Sequence, residues 1–276
     1  VFMNSEAGLT QPRYKFTIND PAYLSDSKTF AALKLETKDT LSFKFFALKI
    51  LQDLVKFHLN DDNPMALIDA DLKRLHFVYQ NGVISNKDRV YEEALRRMLA
   101  LFDKHPAAAE IYFRLANLYD RLGNKYSPRV SEDFKWDKKK ARELCAEAIK
   151  KYPGSYGARQ CQDLIYRIEG KQLNLTFENV TVRNKPSRAL LQYKNMDRVH
   201  IRLFKSSLKE LQETDGLNTD DQVAHFLEKT PFKKWTIDVP NDNDYQSHSA
   251  EVKIDGLDWG VYAVFASFDP GFQHKK

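Results

Sequence analysis

Only two cysteines, ten glycines and ten prolines occur in the 276 residues, and no long apolar run interrupts them. Each shortage excludes something. The two cysteines, Cys145 and Cys161, are too few for a disulfide framework and lack the spacing of a metal site. The glycines form neither Gly-x-Gly-x-x-Gly nor Gly-x-x-x-x-Gly-Lys, so the backbone-amide cradle that holds nucleotide phosphates is missing. No window approaches the ~20 consecutive apolar residues of a membrane-crossing helix, and no direct membrane span is expected.

Nucleophilic chemistry is equally poorly provided. There is no Gly-x-Ser-x-Gly elbow, and neither cysteine has the local signature of a nucleophile. The seven histidines, His58, His76, His105, His200, His225, His248 and His274, are scattered singly with no His-x-x-x-His pair, which favours solvated or cap-adjacent roles. The carboxylate pairs Asp61-Asp62 and Asp220-Asp221 sit in polar loops or helix starts, where capping and turn formation account for them. No catalytic, cofactor-binding or metal-ligating residue is nominated, no cofactor is expected, and no binding residue stands out.

The charge excess is mild. Lysine and arginine total 43 against 38 acidic residues, a net +5, and the two signs are interspersed. The densest basic stretch, Lys138, Lys139, Lys140 and Arg142, lies beside Asp137 and Glu143 and reads as a solvated helix face. Without a basic stripe carrying interleaved aromatics, nucleic acid is not an expected partner.

What is present is an ordinary globular composition, 42% apolar and 29% charged, over a length that favours two folding units. Residues 1–38 read as an irregular arm, with Tyr14, Phe16 and Ile18 alternating like a short strand before a turn at Asn19-Asp20-Pro21. From Asp39 the period becomes helical: Leu41, Phe45, Leu48, Leu51, Leu54, Val55 and Leu59 recur at three- and four-residue steps. Helices are predicted at about 39–59, 64–80, 88–105, 107–123, 137–152 and 155–169.

Two of these segments repeat one another. Ala94, Met98, Leu101 and Pro106 have the same spacing as Ala141, Cys145, Ala148 and Pro153, and between them Tyr112, Leu115, Ala116 and Tyr119 form a stripe. This pattern resembles the tetratricopeptide repeat, in which small residues let paired helices approach and a proline ends each pair. About thirteen extra residues between Gly123 and Lys140, including Tyr126, Pro128, Phe134 and Trp136, depart from that family. Cys145 and Cys161 flank the Pro153-Gly154 turn at similar levels of the helix pair; a disulfide is geometrically open, and two small core side chains is the preferred reading.

Gly170 closes the helical part, and the period then alternates. Strands are predicted at 172–179, 187–195, 197–205, 233–239, 248–255 and 260–268, with a helical insertion near 206–230. Val199, Ile201 and Leu203 against His200 and Arg202 describe a sheet with one wet face. The fold expected is therefore α+β and multidomain: an antiparallel, tetratricopeptide-like helical array over 39–170, then an immunoglobulin-like or macroglobulin-type antiparallel β-sandwich over 171–276. Six strand segments fall one short of the usual seven, so the β-domain is expected to continue past its turn at Asp269-Pro270-Gly271, and the start at Val1 suggests an excised piece.

The succession Tyr156-Gly157-Ala158-Arg159, Leu173-Asn174-Leu175-Thr176-Phe177, Leu190-Leu191-Gln192-Tyr193-Lys194-Asn195 and Val199-His200-Ile201-Arg202-Leu203-Phe204-Lys205, with the later Leu257-Asp258-Trp259-Gly260-Val261-Tyr262, resembles the N-terminal region of bacterial α2-macroglobulin-like proteins. That resemblance implies a segment of a larger endopeptidase inhibitor of the bacterial cell envelope, periplasmic or outer-membrane associated. Its partners would be the other domains of its parent chain, with proteases as the targets trapped by the whole protein. The family's thioester needs a Cys-x-Glu-Gln run; Cys145-Ala146-Glu147-Ala148 lacks the carboxamide and lies inside a repeat helix. The alternative is a peptide- or glycan-binding, tetratricopeptide-type adaptor of the cell envelope.

Overall fold

The periodic apolar stripes fold as helices in the computed structural model, which describes residues 15–178 and 181–273. Two compact units result, Val1–Arg167 and Ile168–Lys276. The first is helical: α1 (Ser27–Ala32), α2 (Phe43–His58), α3 (Met65–Asn81), α4 (Lys87–Phe102), α5 (Ala108–Gly123), α6 (Asp137–Lys151) and α7 (Tyr156–Glu169), whose last two residues pass into the second unit.

Local chemistry sets the helix starts. The Ser42 hydroxyl accepts from the Phe45 amide at the head of α2, and the Asn63 side chain accepts from the Met65 amide at the head of α3. Each helix then buries one stripe. In α5, Tyr112, Leu115, Ala116 and Tyr119 are all buried, and so are Ala94 and Met98 of α4 and Ala141, Cys145 and Ala148 of α6. The repeat equivalence stops at one position: Ala148 is fully buried, whereas Leu101 is 70% exposed. Close approach is needed where α7 begins, because a Cβ on Gly157 would stand 2.3 Å from the Ala109 carbonyl carbon.

The segment read as an irregular arm is more ordered than its sequence suggests. Tyr14 lies outside the described residues, and Phe16 and Ile18 do not form a strand. Asp20 accepts from the Ala22 amide, so Asn19-Asp20-Pro21 starts a short 3-10 helix, Pro21–Leu24. Asp26 then caps α1 through the Lys28 and Thr29 amides. Ile18, Leu24 and Phe30 are buried. Long-range bonds hold this chain in place: Gln52 Nε2 donates to the Phe30 and Leu33 carbonyls, and Arg97 donates to the Leu24 carbonyl.

The second unit holds β1 (Gln172–Phe177), β2 (Ser187–Lys194), β3 (Arg198–Ser206), α8 (Leu208–Thr214), α9 (Thr219–Leu227), β4 (Lys233–Asp238), β5 (His248–Ile254) and β6 (Val261–Ser267). They form two antiparallel three-stranded sheets, ordered β1-β2-β5 and β4-β3-β6. In the first, Leu175 pairs with Leu191 and Leu191 with Ala250; in the second, Ile201 pairs with both Trp235 and Ala266. Buried residues of both sheets, among them Leu191, Tyr193, Val199, Ile201, Val252 and Ile254, share one apolar core. The step from β2 to β3 changes sheet at Asn195, whose φ is 56°, and the Asn195 amide donates to the Ile168 and Gly170 carbonyls.

The expected wet face is partly covered. Phe204, on the opposite side of β3 from Val199 and Ile201, is buried. It packs with Phe226 of α9 and Phe265 of β6, their ring centroids 5.4–5.8 Å apart. The helical insertion therefore caps one end of this sheet with an aromatic cluster.

Candidate functional site

A polar stripe runs along α5 beside its apolar one. Arg114, Asn117, Arg121 and Asn124 stand at i, i+3, i+7 and i+10 and so share a helix face. They line a cavity of about 370 Å³ whose other walls come from His76 and Tyr79 of α3, Tyr91 of α4 and Arg167 of α7.

Buried aromatics shape its floor. The Tyr79 and Tyr91 rings stack with centroids 4.1 Å apart and an interplanar angle of 7°. The Arg121 guanidinium lies 4.3 Å from the Tyr79 centroid, a cation–π contact, and 3.7 Å from Asp88. Asp88 is held in turn by the Tyr79 hydroxyl and by Lys125. Burial pushes the Tyr91 phenol up to about 12, so that ring stays neutral. Burial, with Arg114 and Arg121 nearby, lowers the His76 pKa and leaves its imidazole uncharged at neutral pH.

The cations of this wall differ in how they are used. Arg167 pairs with Asp120 at 4.0 Å, and Lys138 approaches the same carboxylate at 3.9 Å. Arg114 is half-buried and makes no hydrogen bond or ion pair among the described residues; Glu110, one turn earlier, interacts with it only through charge. The side-chain amides of Asn117 and Asn124 likewise have no hydrogen-bond partner among the described residues. The site thus keeps unused capacity: one guanidinium and two amides at the edge of a rigid aromatic floor.

Other polar groups nearby are already satisfied. The Tyr119 hydroxyl donates to Glu92 at 2.6 Å and accepts from Arg96 at 2.8 Å. The Tyr112 hydroxyl donates to Glu147 at 2.7 Å and accepts from Lys151 at 2.8 Å, while Lys151 also pairs with Asp103. Burial and the Glu147 bond push the Tyr112 phenol up to about 12. These networks fasten α5 to α4 and α6.

The second unit has a cavity of about 440 Å³ at the β1–β2 and β5–β6 connections, lined by Phe177, Val182, Leu257, Trp259 and Tyr262. Of its charged groups, Arg183 pairs with Asp258, Nε 2.7 Å from Oδ1, and Asp255 pairs with Lys233.

The sequence-level candidates disperse. His58 bonds Asp61, His200 bonds Thr236, His225 bonds Glu210 and His248 bonds Asp244, while the His105 ring accepts from the Ala107 amide. His274 lies outside the described residues. Asp220 and Asp221 occupy the first turn of α9. Cys145 and Cys161 are free, buried thiols; their mutual hydrogen bond and burial push the Cys145 pKa up, which makes it a poor nucleophile. Among the described residues, no group of three or more His, Cys, Asp or Glu side chains is placed to hold a metal, and no helix is long and apolar enough to cross a membrane. The α5 polar stripe is not among the sequence-level candidates, because the apolar stripe dominates the same helix; its signal is the i, i+3, i+7, i+10 spacing.

Compared with protein-family models the chain matches none, and compared with curated proteins it again matches none.

Proposed function

We propose that this chain is a non-catalytic interaction segment of a larger, bacterial α2-macroglobulin-like protein, whose whole form traps proteases in the cell envelope. The observation that carries the reading is the order of its parts: a helical unit followed by a β unit in which two antiparallel sheets share one core. On this reading the β unit is a macroglobulin-type sandwich, with α8 and α9 inserted between its strands, and the helices are a tetratricopeptide-like stack. The buried small residues Ala94, Ala116, Ala141 and Ala148 at helix contacts support the latter. The partners are then the remaining domains of the parent chain and, for the whole protein, attacking proteases.

The test is to incubate the full gene product with a protease and follow two activities. Trapping predicts lost cleavage of a large protein substrate with retained cleavage of a small peptide substrate. Equal retention of both rejects the inhibitor reading. A second reading, a peptide-binding adaptor, draws on the unpaired Arg114, Asn117 and Asn124 side chains; retained protease activity together with peptide capture at α5 would favour it.

A further inference from the structure

We propose that the α5 cavity binds an acidic peptide segment, with a carboxylate taken by Arg114 and the peptide backbone taken by Asn117 and Asn124. The inference rests on the interaction reading above but not on the macroglobulin-like parentage, so a failed trapping assay leaves it standing and its own failure leaves trapping untouched.

Hydrogen-bonding capacity in this cavity is left unspent. A guanidinium has five donors and no acceptor, in a planar fork that matches a carboxylate. Arg114 presents that fork half-buried and without an ion pair among the described residues. Arg121, two turns further on, is held over the Tyr79 ring beside Asp88 and leaves the anion to Arg114. His76, kept neutral by burial and by these two arginines, adds no cation of its own to the wall.

The amides decide which anion. An amide side chain offers both a donor and an acceptor, as a peptide bond does, so Asn117 and Asn124 match a peptide backbone in a way that lysines would not. A phosphate-rich polymer needs donors alone. Asp120, on the same wall, is already paired with Arg167, so the wall offers one unpaired guanidinium, enough for a single carboxylate and not for a dense polyanion. The cavity, about 370 Å³, suits a few peptide residues rather than a folded surface.

The experiment exposes the full chain to a random peptide library and sequences what it retains, then measures one retained peptide by fluorescence anisotropy. Retained peptides should be enriched in Asp and Glu over the input, and affinity should fall as salt rises. Arg114→Gln and Asn117→Ala should each weaken binding about tenfold, and Arg114→Lys should restore part of the loss. Because Asn124 is exposed, Asn124→Ala provides a variant that keeps the fold, and an unchanged melting temperature verifies it for each protein. No acidic enrichment, or enrichment that survives Arg114→Gln, overturns the proposal. So does a single-stranded oligonucleotide that displaces the peptide and binds the cavity more tightly than any retained peptide.

Discussion

Arg74 on α3 is completely buried, and removing its charge is the most informative single perturbation of the helical unit. Its Nε donates to Asp71 Oδ1 at 2.8 Å, and its two terminal nitrogens donate to the Tyr23 and Ser25 carbonyls at 2.8 and 2.9 Å. The guanidinium carbon also lies 4.5 Å from the Phe30 centroid. Burial pulls the Arg74 pKa down, and Asp71 opposes that pull. In Arg74→Met the methionine fills most of the space, but Asp71, 2% exposed, keeps only the Ser27 hydroxyl, 2.8 Å from its Oδ2. Breaking a buried pair from one side costs about 3–5 kcal/mol, and the two stranded carbonyls place the loss in the upper part of that range. Urea denaturation followed by helical circular dichroism measures it. Since the bonds anchor residues 21–33, amide exchange should accelerate there before it does in α5 or α6. The double variant Arg74→Met, Asp71→Leu removes both charges and should recover part of the loss. A loss below about 1 kcal/mol, or exchange that accelerates evenly through the unit, refutes the reasoning.

Three further outcomes follow from the same contacts. Gly157→Ala forces a methyl into the Ala109 backbone and should cost about 1–3 kcal/mol, read from the urea midpoint; an unchanged midpoint would mean that the α5 and α7 starts separate freely. Thiol titration without reductant should find two free thiols after denaturation and almost none before it, because Cys145 and Cys161 are buried; fewer than two on denaturation would mean a disulfide. Hydrogen bonds from Lys229, His225 and Ser206 lower the Glu210 pKa from 4.5 to about 2, so this carboxylate adds stability above pH 4.5 that is lost as pH falls towards 2. With solvent screening the contribution is about 1 kcal/mol, and Glu210→Gln should remove it at neutral pH and flatten the acid limb of the stability profile.

The long helices and the strands were legible in the sequence because each carries a complete period: Tyr112, Leu115, Ala116 and Tyr119 on α5, or Val199, Ile201 and Leu203 on β3. The segment before α2 was not. Its two helices span four and six residues, too short to display a period, and its order depends on Arg74, Gln52 and Arg97, which are distant in sequence. Two sheets were expected, but which strands share a sheet was hidden, because β2 and β3 are consecutive and separate only at the left-handed Asn195. Burial of Phe204 depends on α9, about twenty residues later in the chain, which alternation within β3 cannot reveal. The α5 cavity needed the structure for a similar reason: spacing places Arg114 and Asn117 on one face, but only packing shows which polar side chains are left unpaired.

The central claim is that these 276 residues work as an interaction segment inside a larger inhibitor. An antibody raised against the chain, used to size the native polypeptide in the cells that make it, tests this directly. The product should be several times the mass of this chain, and should become physically linked to or enclosed around an added protease. A native product no larger than the chain itself, unaffected by protease, would contradict it.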